Sequence, residues 1–530
     1  MTDAPAAAPS LIRRAAGITG WNLASRLTGF VRVLVVAGAL GATFLGNTYQ
    51  SANLVSNVLF ELLAAGMLAA VLVPALVARL TSGTREDARA LAGGVLGRAL
   101  VALAAIVVVG AAGAPWVMRA LTAGVVDESV RAAQIRLGSF LLLFFLPQVV
   151  LYAVGAVTSA ILQADSRFAA AAAAPVANNL VVIMTLGWFW SRGAAGLELA
   201  LLDRLILAAG TTGGVLAMTL VPALAARRAG LGVRPHLRAL PELGGLLRSG
   251  AWAGATLAAT QVFVFATIVF ANRVEGGVVA YQVAFTLFLL PHALFAHPIA
   301  TALFPQLAAA FHVRNMSAFR RDAGHGLGLL LFALLPISAV VVAVAPPAVR
   351  ALSVGGLERG AAPELVAAAL AGYAFGLVGY SAILLLTRVA YAAGDARTPA
   401  IVNGVAVVLG VVLMAVLSNA AAGPDRTRAL GVAHTGTVLA AAAVLALVLV
   451  RRHLLEVDVP SFVRALAWSA GSGVVARVVV DALTGRPTNR AADVAATVAA
   501  VAVAGLVYVG GQALTGASEL RRRAVSGGGA

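Results

Sequence analysis

The chain contains no cysteine and no lysine. The first absence excludes disulfides, thiolate metal sites and cysteine nucleophiles. The second removes the lysine that a phosphate-binding GxxxxGK[ST] loop requires, and with it the usual route to ATP-driven work. Charge of either sign is scarce: 11% of 530 residues are charged, where a soluble domain carries about 25%. No HExxH and no GxSxG motif occurs, and the few carboxylates fall mostly in loops. No enzyme, metal or cofactor is expected. What fills the chain instead is 61% hydrophobic, with a mean hydropathy of +0.95. That composition belongs in a bilayer. All 38 basic residues are arginine and the formal net charge is +17. In a polytopic protein such an excess marks cytoplasmic loops rather than nucleic-acid binding.

A helix needs about 20 apolar residues to cross the hydrocarbon core. About fourteen such stretches occur, at 15–40, 47–79, 91–113, 134–162, 169–190, 199–226, 244–271, 278–311, 324–346, 363–392, 399–420, 427–450, 461–482 and 491–515. The first is interrupted by Arg26 and Arg32 and runs on into the multi-span body, so it reads as a retained span and not a cleaved signal. Most loop arginines, among them Arg13, Arg14, Arg85, Arg227, Arg228, Arg320, Arg321, Arg451, Arg452 and Arg521–Arg523, fall on one side. The positive-inside rule then places both termini in the cytoplasm.

The chain repeats itself. Leu162-Gln163-Ala164-Asp165-Ser166-Arg167 closes one apolar stretch and Ala392-Ala393-Gly394-Asp395-Ala396-Arg397 closes another, 230 residues later. Val73-Pro74-Ala75-Leu76 recurs as Phe304-Pro305-Gln306-Leu307, 231 residues later. An even number of spans separates the copies, which implies two parallel six-helix lobes with a site expected between them. The expected divisions are an N-lobe at 1–228, a cytoplasmic linker at 229–243, a C-lobe at 244–452, two further spans at 453–516 and a tail at 517–530, ending in a Gly-rich segment expected to be disordered. The fold class is therefore all-α and polytopic.

Two arginines inside one span are costly, at least ~2.5–3.5 kcal/mol each near the midplane. Asn22, Arg26, Gly29 and Arg32 are spaced four, three and three residues apart, within about 120° of one helix face. Such a stripe faces protein or water, and it suits an anionic cargo. The second stretch carries Asn47, Gln50, Asn53, Asn57 and Glu61 on one face, which reads either as a cavity wall or as a polar seam between helices. Glu61 is the candidate counter-charge to an arginine, or a protonatable switch. The eighth stretch holds Gln282, Thr286, Pro291, His292, His297, Pro298 and Pro305, and reads as a broken helix with structural histidines. Asn178, Asn179 and Asn403 read as packing contacts.

Ser25-Arg26-Leu27-Thr28-Gly29-Phe30-Val31-Arg32 matches an SRxxGFxR signature. Asn47–Asn53, Phe60–Gly66, Val73-Pro74, Thr301–Pro305 and Ala393–Pro399 continue in register. The ensemble resembles MurJ (MviN), the lipid II flippase family of bacterial peptidoglycan synthesis, whose fold is MATE-like. The resemblance covers the first twelve spans. It implies fourteen spans, the last two forming a lipid-access groove. It also implies a location in the bacterial cytoplasmic membrane, with a lipid-linked diphosphate as substrate and the bilayer and cell-wall or division proteins as partners. A monomer is expected. The chain departs from the family at four points: the family's acidic residue is Asn47, two family arginines fall on Phe60 and Glu61, and another falls on Thr286. Arg26 and Arg32 are kept. The resemblance implies flipping of lipid II from the inner to the outer leaflet, with Arg26 and Arg32 on the diphosphate, and Asn22, Asn47, Gln50, Asn53, Asn57, Glu61 and Thr286 completing the candidate set. Two rival functions are a drug antiporter, which calls for a carboxylate-rich cavity, and a non-transporting division scaffold, in which both arginines tolerate neutral replacement.

Overall fold

The computed structural model describes residues 8–62, 69–238, 243–484 and 489–516, with side chains except those of 8–19, 69–71 and 243–256. Gly66, Arg521–Arg523 and the Gly-rich tail lie outside the described residues. The described chain is helical without a strand, and it divides into two compact units, Met1–Gln261 and Val262–Ala530. Unit 1 holds α1 (Ala8–Leu40), α2 (Phe44–Phe60), α3 (Ala69–Ser82), α4 (Arg85–Leu121), α5 (Glu128–Phe145), α6 (Gln148–Ala164), α7 (Ala169–Ser191), α8 (Leu201–Arg228) and the first part of α9 (Leu243–Ala271). Unit 2 follows with α10 (Gly277–Pro291), α11 (His297–His312), α12 (Met316–Leu352), α13 (Ala362–Tyr373), α14 (Gly376–Ala392), α15 (Arg397–Asn419), α16 (Gly423–Arg451), α17 (Val459–Thr484) and α18 (Arg490–Leu514).

Among the described residues eleven helical stretches are long and apolar enough to cross a membrane, or twelve if the bent pair α13–α14 counts as one. The count of fourteen expected from the sequence is thus met at twelve places. The other two stretches, 47–79 and 244–271, fall on α2–α3 and α9, which include residues or side chains outside the description. Val108, Val109, Val478 and Leu506 stand exposed on these helices, which is the arrangement lipid requires and water would penalise.

The repeat is carried by element length and packing. The helices α4 and α12 are both 37 residues long, α6 and α14 both 17, and α7 and α15 both 23. In unit 1, α4 packs on α5, α6 on α8 and α7 on α8; in unit 2, α12 packs on α13, α14 on α16 and α15 on α16. Pro74 and Pro305 lie inside α3 and α11. The two Asp motifs fill equivalent corners. Asp165 pairs with Arg167 at 2.9 Å and Arg85 at 3.5 Å, and Asp395 pairs with Arg452 at 2.5 Å.

Each unit has a break in a span at which hydroxyls take up freed carbonyls. Pro147 has no N–H, so the ladder between α5 and α6 fails there. The freed Phe144 carbonyl accepts from the Thr212 hydroxyl (2.9 Å) and that of Phe145 from Ser56 (2.7 Å). In unit 2 the bend between α13 and α14 is 46°, and the Gly372 carbonyl accepts from Thr435 at 2.8 Å. The broken helix expected in the eighth stretch is a π-helical turn, His292–Ala296, between α10 and α11. Pro298 directly after it cannot donate, and the wider turn absorbs the defect.

In the segment expected as a linker, the described residues are tied to unit 1 through their backbone. Residues 231–238 run back over α4. The His236 amide donates to the Gly93 carbonyl (3.1 Å), Arg89 Nε to the Gly232 carbonyl (3.1 Å), and the Arg98 guanidinium to the Arg238 carbonyl (2.6 Å). Side chains of Arg234, Pro235, Leu237 and Arg238 remain exposed while the backbone is tied down. Gly93 is required by this approach, because a Cβ there would collide with the Arg234 carbonyl. Unit 2 has the same fastening: Glu456 donates its amide to the Arg320 carbonyl (3.3 Å) and its carbonyl sits where a Cβ of Gly324 would be. Arg320 and Gly324 lie 231 residues after Arg89 and Gly93.

The last two helices dock on α12. Pro336 deprives the Phe332 carbonyl of its ladder partner, and the Tyr508 hydroxyl from α18 donates to it at 2.8 Å. Arg350, near the end of α12, grips Asp493 at the start of α18 through both Nε (3.1 and 3.2 Å) and a terminal nitrogen (2.6 Å).

Candidate functional site

The helix α1 is sorted into faces by what each side chain can bear. Ser25 and Thr28 turn to α7, where Asn179 Nδ2 donates to the Thr28 hydroxyl (3.0 Å) and the Ser25 carbonyl (3.3 Å). Asn179 is therefore a packing contact. Leu23, Leu27 and Val31 are exposed on the apolar flank. Asn22 and Arg26 lie exposed beside that flank, and Arg32 is half-buried. Among the described residues neither Arg26 nor Arg32 makes an ion pair or a side-chain hydrogen bond. Other arginines at the ends of spans behave differently: Arg192 is held by Asp203, Arg350 by Asp493 and Arg452 by Asp395. Those three arginines are paired with carboxylates, and among the described residues Arg26 and Arg32 are not.

The helix α2 starts at Thr43, whose hydroxyl accepts from the Gly46 amide (3.3 Å). One face is enclosed: Asn47, Thr48, Tyr49, Ser51 and Ser56 have at most 2% exposure. Tyr49 shares a hydrogen bond with Thr211 of α8 at 2.8 Å. Asn47, expected among the substrate contacts, is thus a fully buried side chain. The remaining polar residues, Gln50, Asn53, Asn57 and Glu61, form a half-buried row at three- to four-residue spacing, and their side chains make no hydrogen bond among the described residues. The expected pairing of Glu61 with an arginine is likewise not made among the described residues.

Sequence reasoning missed one element of this site. Tyr152 comes from α6, and its ring rests against Phe60 of α2 with centroids 4.4 Å apart. Nothing in an apolar helix such as Gln148–Ala164 flags a single tyrosine, because its role depends on which helices meet it. Unit 1 thus offers, on α1, α2 and α6, two guanidinium groups without an ion pair among the described residues, a row of amides without a hydrogen bond among them, and an aromatic pair. Chemically this can hold an anion through charge-assisted hydrogen bonds and hydroxyl groups through amides.

Thr286 stands apart in unit 2. Its hydroxyl donates to the Gln282 carbonyl one turn back (2.7 Å), so it is engaged with its own helix. In the same unit Phe263, Phe285, Phe288, Tyr373 and Tyr380 surround His434 in an aromatic cluster, which Tyr281 extends through Phe285. His292 Nδ1 is 2.8 Å from the Ser381 hydroxyl, and His297 Nδ1 is 3.3 Å from Thr301. Among the described residues no group of His, Asp and Glu is arranged to hold a metal.

Comparison with known proteins bears on the family and the fold. A family profile described as Lipid II flippase MurJ matches residues 36–485. A probable lipid II flippase MurJ of Rhizobium meliloti (strain 1021) is 28% identical over 416 residues, covering 76% of this chain and 75% of the relative. The lipid II flippase MurJ of Burkholderia cenocepacia is 26% identical over 427 residues, covering 77% and 78%. Among solved structures, a lipid II flippase MurJ in an inward closed conformation matches with a TM-score of 0.77 at 17% identity, covering 94% of this chain and 98% of that one. An inward-facing multidrug resistance MATE family transporter of the MOP superfamily matches at 0.64 and 16%, covering 81% and 94%. At these identities the structural likeness speaks for the fold alone.

Proposed function

The chain belongs to the lipid II flippase family MurJ, and from that membership we propose how its own residues move a polyprenyl-diphosphate-linked peptidoglycan precursor, lipid II, between leaflets. It is a multi-pass membrane protein. Arg26 and Arg32 hold the diphosphate, and Gln50, Asn53 and Asn57 meet hydroxyl and amide groups of the cargo. The single observation that carries this assignment is that two cations inside an apolar span have no carboxylate partner among the described residues. A bilayer tolerates such charges only where water or an anion meets them. A guanidinium fits a phosphate bidentately, with two parallel N–H···O bonds. Asn22 flanks Arg26 on the same exposed surface. Glu61 sits within the amide row, where a carboxylate can accept from an amide or hydroxyl donor of the cargo.

Transport proceeds by alternating access. With both termini cytoplasmic, the inside-negative potential favours outward movement of an anion by ~2.3 kcal/mol per charge per 100 mV, which drives flipping without ATP. The drug-antiporter reading is disfavoured because the site offers one carboxylate and two cations that have no ion pair among the described residues. Depleting the protein from its host should cause a lipid-linked, diphosphate-bearing wall precursor to accumulate in the inner leaflet. Unchanged leaflet distribution would remove the proposal. The orientation has its own test, made easy by the absence of native cysteine. A cysteine introduced at Arg238, exposed on the segment over α4, should react with an impermeant thiol reagent only after the cells are opened. Labelling in intact cells would reverse the topology.

A further inference from the structure

We propose that Phe60 and Tyr152 form a stacking platform for the sugar ring next to the diphosphate of the transported lipid, whose phosphates Arg32 holds. This rests on the reading of the site given above and adds a recognition element that the arginines alone do not supply. Phe60 is half-buried, so part of its ring is open. Tyr152 is 6% exposed, and its hydroxyl makes no hydrogen bond among the described residues. The two rings meet at 4.4 Å with an interplanar angle of 46°, which fixes Phe60 in place instead of leaving it free to rotate.

Phe60 also stands three residues after Asn57 and seven after Asn53, on the same side of α2. The site therefore combines an apolar, electron-rich ring face with free amides and a guanidinium. That combination fits a pyranose diphosphate. A pyranose has one face of C–H groups, weakly positive like the edge of an aromatic ring and so attracted to a ring face. Its rim of hydroxyls and N-acetyl groups suits amides, and the attached diphosphate suits Arg32. A bare polyprenyl diphosphate would leave the platform and the amide row unused, and an acyl chain would leave the amides unpaired at a cost.

The test uses the purified full-length protein in lipid nanodiscs and two probes: a polyprenyl diphosphate without sugar, and the same lipid carrying one N-acetylated hexose. The wild type should bind the sugar-bearing probe about tenfold more tightly. Phe60→Leu should remove most of that preference and leave affinity for the sugar-free probe unchanged. Phe60→Trp, which keeps a ring face, should retain the preference, and it carries the test if the leucine variant does not fold. Equal wild-type affinities for the two probes would overturn the platform, as would a Phe60→Leu variant or, failing that, a Phe60→Trp variant that weakens both probes alike. Arg32→Gln should weaken both probes. If it weakens neither, the assignment of the diphosphate site fails, an outcome separable from failure of the platform.

Discussion

Neutralising Arg26 and Arg32 together should abolish complementation of a strain depleted of its native flippase while leaving the protein folded in the membrane. Each guanidinium–phosphate contact is a charge-assisted hydrogen-bond pair, worth about 1.5–3 kcal/mol, so each single Arg→Ala change should weaken diphosphate binding about 10- to 100-fold. The usual objection, that losing a buried charge unfolds a protein, does not apply. Neither arginine has a carboxylate partner among the described residues that would be left exposed to the cost of standing alone, and removing a cation from a span makes insertion easier. Arg→Lys should rescue only in part, because an ammonium cannot reproduce the planar fork. Full growth with both arginines neutral would favour a scaffold over a transporter.

The second large effect is on stability. Asp493 has 5% side-chain exposure and its partner Arg350 35%. Asp493→Ala removes a charge-assisted hydrogen-bond pair and leaves the part-exposed Arg350 without its partner, which should cost about 1.5–3 kcal/mol. The damage should concentrate on the attachment of α17 and α18 to α12, since this pair and the Tyr508–Phe332 hydrogen bond join α18 to α12. Thermal unfolding in detergent should show the loss. The double change Arg350→Ala with Asp493→Ala should be milder than Asp493→Ala alone, because it leaves no orphan. A double variant as unstable as the sum of the singles would mean that the pair does not act as a unit.

Much of the architecture was legible because it is written in short-range signals. Pro74 and Pro305, and the Asp165 and Asp395 corners, gave the offset at which whole helices later proved equal in length. The π-helical turn was visible in outline from Pro291 and Pro298. The bend between α13 and α14 was not, since no proline marks it and the Thr435 hydroxyl that stabilises it comes from a distant helix. The fastenings over Gly93 and Gly324 were equally hidden. Among 55 glycines nothing local distinguishes one that accommodates a crossing backbone. The site was half legible. A polar residue inside an apolar span announces itself, which found Arg26, Arg32 and the α2 row. Whether it points outward or inward depends on the neighbours, which is why Asn47 proved enclosed and Tyr152 was overlooked.

The most direct measurement places the purified protein in vesicles loaded with fluorescent lipid II in the inner leaflet, imposes an inside-negative potential, and follows the appearance of the label on the outside. The wild type should export the lipid at a rate that rises with the potential, and the Arg26→Ala, Arg32→Ala double variant, inserted to the same level, should not exceed empty vesicles. Export by the double variant at the wild-type rate would contradict the assignment of the diphosphate to these two arginines.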